Sequence, residues 1–188
     1  MAGKKISELG ALGANFATTD LFEISKDGGG GTYSSKSITG AEIASSVGAT
    51  GFDRKFTKTS ATDGDYDGDV VYFGGTTSMT IGTIYHYKSD GTWEVSDPNA
   101  AANSDGLLAV ALGAASDTNG MLLRGMVTLD HDPGAVGDVL YLSAASTGDA
   151  TATAPSGSGD IVRIVGYCLD ASDGQIWFDP DSTFVELS

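Results

Sequence analysis

The run Asp63-Gly64-Asp65-Tyr66-Asp67-Gly68 places carboxylates at the first, third and fifth positions of a loop, with glycine at the sixth. This spacing lets a calcium loop converge hard oxygens on one cation, so Asp63, Asp65 and Asp67 are the candidate calcium ligands. Position 12, where such a loop uses a bidentate glutamate, is Gly74, and the flanking residues read as strands rather than helices. Two successive Asp-Gly turns entering a strand account for the same residues more simply. A second group, Asp130-His131-Asp132-Pro133, sets an imidazole among carboxylates, the make-up of a general base near neutral pH. No serine or cysteine stands in a recognisable nucleophile elbow, and a Pro-Gly pair follows at once, so a strand ending in a turn is expected there. His86 lies between Tyr85 and Tyr87 with no second histidine near in sequence, and is expected to be partly buried with its ring satisfied. Phosphate-cradling glycine loops, dinucleotide fingerprints, paired CxxC cysteines and HExxH are all missing. The chain is expected not to be an enzyme and to carry no cofactor, calcium being the one candidate.

The elements that would hold these residues are short strands. The segment Gly68-Asp69-Val70-Val71-Tyr72-Phe73 returns as Gly137-Asp138-Val139-Leu140-Tyr141-Leu142, with a looser echo at Gly82-Thr83-Ile84-Tyr85-His86-Tyr87. Each is a turn followed by a β-branched and aromatic run, the pattern of a strand leaving a tight corner. Leu107–Gly113 and Met121–Val127 are answered by Ile161–Tyr167 and Gln175–Phe178. Self-similarity at a period of roughly 55 residues marks a repeated supersecondary unit. From Phe52 onward the pattern is all β, and the turns are rich in Gly, Asp, Asn and Ser. The expected fold is mainly β, a sandwich or barrel built from two similar halves. The nearly continuous apolar runs Leu107–Leu112 and Ile161–Leu169 are expected to be central strands covered on both faces. Tyr85, Tyr87, Trp93, Tyr141, Trp177 and Phe178 could form a stacking surface for sugars or a receptor, but at strand spacing most are expected in packing.

Residues 1–50 read as a separate module and 51–188 as the duplicated β domain. Asp20–Ser25 and Thr32–Ile38 suit two strands around the glycine run 28–31, and Thr39-Gly40-Ala41-Glu42 fits a capping box opening a short helix. A hairpin and one short helix bury little, so this module is expected to need a partner.

Charge narrows the partners. Twenty-five acidic side chains face ten basic ones, a formal net charge of −15. Such a field repels nucleic-acid phosphates and anionic membrane surfaces, so neither is an expected partner. Cys168 is the single cysteine, set within Val165–Leu169, which excludes an intrachain disulfide and suits a buried thiol. Lys4 and Lys5 are followed by no apolar stretch of the kind a secretory signal needs, so no signal peptide is expected and the protein is expected to be made in a cytoplasm and kept soluble.

The opening, Lys5-Ile6-Ser7-Glu8-Leu9 with Thr19–Ser25 and Ser35–Ala41, resembles a module at the N-termini of bacteriophage tail-fibre and other virion structural proteins. Leu122–Gly125, Ala135–Leu142 and Val165–Asp170 are similar to β domains of the same class and to small phage head-decoration proteins. The resemblance implies a homotrimeric, non-enzymatic protein on the virion exterior, touching itself, other virion proteins of tail or major capsid, and a host surface glycan or protein. A tail-fibre or adhesin-like role leads. Capsid decoration is the alternative, and a calcium-dependent carbohydrate-binding module the third reading. The chain lacks the long shaft of a typical fibre.

Overall fold

A computed structural model describes residues 55–188, together with strands β1 (Leu21–Asp27) and β2 (Tyr33–Thr39). The chain divides into two units, between Lys55 and Phe56, close to the expected boundary at residue 50. In the first, β1 and β2 pair antiparallel from Leu21 opposite Thr39 to Asp27 opposite Tyr33, the hairpin expected around the glycine run. The short helix expected after Thr39 lies outside the described residues.

The second unit is all β apart from single turns of helix. Its strands are β3 (Tyr66–Val71), β4 (Ile84–Tyr87), β5 (Trp93–Val95), β6 (Leu108–Ala111), β7 (Met121–Thr128), β8 (Val139–Leu142), β9 (Ala150–Thr151), β10 (Ile161–Val162), β11 (Ile164–Asp170), β12 (Gln175–Phe178) and β13 (Val185–Glu186). One antiparallel sheet runs β5-β4-β6-β7-β12-β11-β8-β9, and β3 lies on the other edge of β7. The order reads alike from both ends, with β4, β5, β6 and β7 matched by β8, β9, β11 and β12. The halves meet at the antiparallel pair β7·β12, as a twofold relation between them requires. The second unit is thus built from two similar halves that correspond strand for strand.

The structure corrects one detail of the repeat. The counterpart of Gly137–Leu142 is the looser copy Gly82–Tyr87, which carries β4, whereas the closer copy, Gly68–Phe73, supplies the last four residues of β3 and stands outside the symmetric order. Gly82 and Gly137 both have positive φ, at 80° and 89°, and turn the chain into their strands. Gly68 has no such φ and is needed for space instead. A β-carbon there would lie 2.9 Å from the Gly125 Cα.

The curled sheet encloses one core drawn from both halves. Ile84, Leu108, Val110, Leu122, Val127 and Leu129 meet Leu140, Leu142, Val165, Cys168, Ile176 and Phe178. Neither half could bury its inner face alone. The end hairpins also meet, because Gly148, before β9, accepts from the Ile84 N–H and donates to the Ser96 carbonyl, both at 2.8 Å. The outer faces differ. On the first half the segment after β3 folds back, so Met79 joins Tyr85, Trp93, Ala109, Ala111 and Met121 in a second cluster, and Phe73 stacks on Trp93 with 5.6 Å between rings. β6 is therefore buried on both faces, as its apolar run predicts. On the second half, the cross-strand row Val139–Tyr167–Trp177–Met126 has no such roof: Phe56 stands edge-on to Trp177 at 5.2 Å and the Arg124 guanidinium lies over the same ring. The expectation of two covered faces fails for β11, where Tyr167 is 47% exposed.

Two glycine variants separate conformation from crowding. At Gly137 nothing lies within 4 Å of a β-carbon, so Gly137→Ala should cost only the left-handed φ, about 1 kcal/mol. At Gly125 (φ 141°) the added carbon would sit 2.6 Å from the Gly68 Cα, so Gly125→Ala should cost more than about 3 kcal/mol in urea unfolding.

Candidate functional site

Two of the three carboxylates proposed for calcium are engaged by hydrogen bonds of their own. Asp65 accepts from the Ser60 N–H at 2.7 Å and from the Tyr66 N–H at 3.1 Å. The Ser60 hydroxyl, then its amide, hold the Asp65 carboxyl below the usual 3.8. Asp67, inside β3, accepts from both the amide and the hydroxyl of Thr57, at 2.7 and 2.9 Å. Each of these two side chains pins the segment 57–60 across the sheet, which is the turn-and-cap use of aspartate. Asp63 points elsewhere, into a polar recess of about 210 Å³ that it shares with Asp130, His131, Asp132 and Asp173. The three do not converge as a calcium loop would.

Convergence occurs one strand end away. Among the described residues, one group of three His, Cys, Asp or Glu side chains brings its ligand atoms within 4.8 Å of one another, namely Asp130, His131 and Asp149. Asp130 and His131 follow the end of β7, and Asp149 immediately precedes β9. The His131 Nδ1 lies 2.9 Å from Asp130 Oδ1 and 3.6 Å from Asp149 Oδ1. Its Nε2 lies 3.0 Å from both the amide and the carbonyl of Ala150. Thr83 donates to the other Asp130 oxygen at 3.2 Å. Gly82 and Gly174 admit this packing, since a β-carbon on either would crowd the backbone of Leu129–His131. Burial, followed by the neighbouring Asp130 charge, raises the Asp149 carboxyl despite the opposing pull of His131.

Two carboxylates and one imidazole could accept a borderline first-row ion sooner than calcium, which gathers six to eight oxygens. Without any ion, the same contacts tie the β7 end to β9. Among the described residues no serine, threonine or cysteine bonds to the imidazole in the manner of a nucleophile–base pair. Sequence reading found the acid–imidazole pair. It missed Asp149, whose approach depends on the pairing of β9 with β8.

His86 departs from its expectation. It is 2% exposed rather than partly buried, and its Nε2 has no hydrogen-bond partner, Glu94 Oε2 standing 3.4 Å away. Cys168 is buried, donates to the Gly134 carbonyl at 3.3 Å, and has its thiol pKa raised by that burial. Of the six aromatics considered as a stacking surface, Tyr85, Trp93 and Phe178 are core, while Tyr87 packs against the second cluster. Tyr141 and Trp177 remain half-buried on the second half's outer side. Among the described residues no helix is long and apolar enough to cross a membrane. No family model, curated protein or solved structure matches this chain.

Asp149 supplies a pH test. Because its folded pKa exceeds its unfolded value, its contribution to stability is full below about pH 3.8 and is lost as the pH rises through the folded value. Asp149→Asn should therefore match the parent below that pH and exceed it at pH 7, in paired thermal melts.

Proposed function

We propose that this chain is a non-enzymatic structural protein of a bacteriophage virion surface, tail-fibre or adhesin-like, acting through contacts between subunits and with host or particle. The observation that carries the reading is the unequal treatment of two matching outer faces. One half of the duplicated sheet is roofed by the segment bearing Phe73 and Met79. The other leaves Val139, Tyr167, Trp177 and Met126 in a row met by the ring of Phe56 and the guanidinium of Arg124. Large aromatics half-desolvated on an outer sheet face are the residues that anchor protein contacts. Rigid sheets with tight turns suit an external component, and the strong negative charge favours solubility.

The hairpin of β1 and β2 is marginal by itself, which supports assigning the N-terminal unit to attachment or trimerisation. Closed threefold symmetry would let three copies bury matching surfaces. Light scattering coupled to size exclusion should return the mass of three chains. Tyr167→Glu, at an exposed position, should weaken association by at least tenfold while leaving the melting temperature of the β domain unchanged. A stable monomer of the full chain would overturn the trimer.

A further inference from the structure

The second unit carries nineteen Asp and Glu side chains against four Lys and Arg: Lys58, Lys88, Arg124 and Arg163. Three of these four have carboxylate partners. Lys58 meets Asp170, Lys88 meets Asp90 at 3.1 Å, and Arg124 meets Asp179 at 3.2 Å. Arg163 is 5% exposed, yet among the described residues no carboxylate oxygen comes within 4.0 Å of it. Its guanidinium is held by neutral groups: Nε donates to the Asp181 carbonyl at 2.8 Å and Nη1 to the Ser104 carbonyl at 2.9 Å. A buried cation without a counter-ion is costly, and a guanidinium has five N–H donors, of which two are used here. Burial accordingly depresses its pKa, while the charges of Asp105 and Asp181 offset part of the effect.

Arg163 lines a cleft of about 400 Å³ where β6 and β12 diverge along the shared edge of β7. Arg124 lines the same cleft, so the only two arginines of the unit stand at one place. Arg124 sits over the Trp177 ring, 5.6 Å from its centroid, and uses Nε for Asp179, leaving its terminal amines without a hydrogen bond to any described residue. The rest of the lining is largely apolar, with Leu107, Leu108, Leu123 and Pro180, and Leu107 is 41% exposed.

We propose that this cleft binds the carboxylate of a small organic acid, the two arginines taking the anion and the leucines and Pro180 taking its apolar body. Guanidinium forks match the planar, two-oxygen geometry of a carboxylate. Asp105, Asp179 and Asp181 stand around the cleft, and their field penalises a doubly charged phosphate more than a singly charged acid. An apolar lining also requires an organic body rather than a bare inorganic ion. The proposal does not depend on trimerisation or on the virion assignment.

Benzoate is the probe, with benzyl alcohol as its neutral counterpart, followed by saturation-transfer NMR on the intact chain in whatever assembly it forms. Benzoate should give a saturable signal, and benzyl alcohol at the same concentration should give little. Arg124→Gln and Leu107→Asp, both at exposed positions, should each weaken benzoate about tenfold, with parental thermal melts confirming the fold. Asp179→Asn should tighten it, because the competing carboxylate is removed. Equal signals from benzoate and benzyl alcohol would overturn the proposal. So would full benzoate binding in both Arg124→Gln and Leu107→Asp, or displacement of benzoate by equimolar inorganic phosphate.

Discussion

One cross-strand row governs the β domain: Gly68, Gly125, Phe178, Gly166 and Leu140 stand opposite one another across β3, β7, β12, β11 and β8. Three of the five have no side chain, and the Phe178 ring, fully buried, occupies the inner side of the sheet between two of them. A β-carbon at Gly68 or Gly125 would strike the backbone of the facing strand, and one at Gly166 would approach the Phe178 Cα to 3.2 Å. The glycines thus permit an approach that a side chain would block, and the large ring fills the space they leave, an aromatic covering of strand glycines. Everything else about the sheet follows from where this row lies. It crosses the junction of the two halves, so the strands that build the common core are also the strands that must come closest.

The same row explains how β7 serves three neighbours with two edges. β3 runs along one edge from Tyr66 opposite Val127 to Val71 opposite Met121. The other edge is divided, with β6 against Met121 and Leu122, and β12 against Gly125 to Thr128. Leu123 and Arg124 fall in the gap, and the cleft opens there. A sheet that forks must leave unpaired backbone or fill the opening with side chains. Here Arg163 reaches across to the Ser104 and Asp181 carbonyls and ties the loops on either side of the fork. Its charge is a consequence of that span, since few neutral side chains reach so far with donors pointing two ways.

Much of this was legible in the residues. The period near 55 announced two similar halves, and the run around Val110 announced a strand buried on both faces, whereas the run around Val165 gave a central strand with one face open at Tyr167. Similarity of letters misled where it was strongest. Gly68-Asp69-Val70 and Gly137-Asp138-Val139 share residues for different reasons, one glycine admitting a close strand and the other a left-handed turn. The acidic run at residues 63–68 shows the same ambiguity. Asp65 and Asp67 are spaced as metal ligands and are spent on the amides of Ser60 and Thr57, partners that no local spacing rule identifies. Asp149 was invisible beside His131 for the converse reason, as the strand pairing that joins them is non-local. Arg163 was missed too, although a lone arginine inside the apolar run Ile161–Val165 was a signal that could have singled it out.

Two similar halves offer two similar outer faces, and here the two are treated differently. The first half's outer face became core once the segment after β3 folded over Trp93, so that Phe73, Tyr87 and Trp93 now pack ring against ring. Nothing comparable lies on the second half among the described residues, although its face holds as apolar a row. If the row served stability alone, polar residues could replace Val139 and Tyr167 at small cost, since partly exposed side chains contribute only the area they bury. Half-exposed aromatics on an outer sheet face are suited to burial by a partner, and the net negative charge disfavours an anionic one. The open face is the physical reason to look for this protein's role in what it touches.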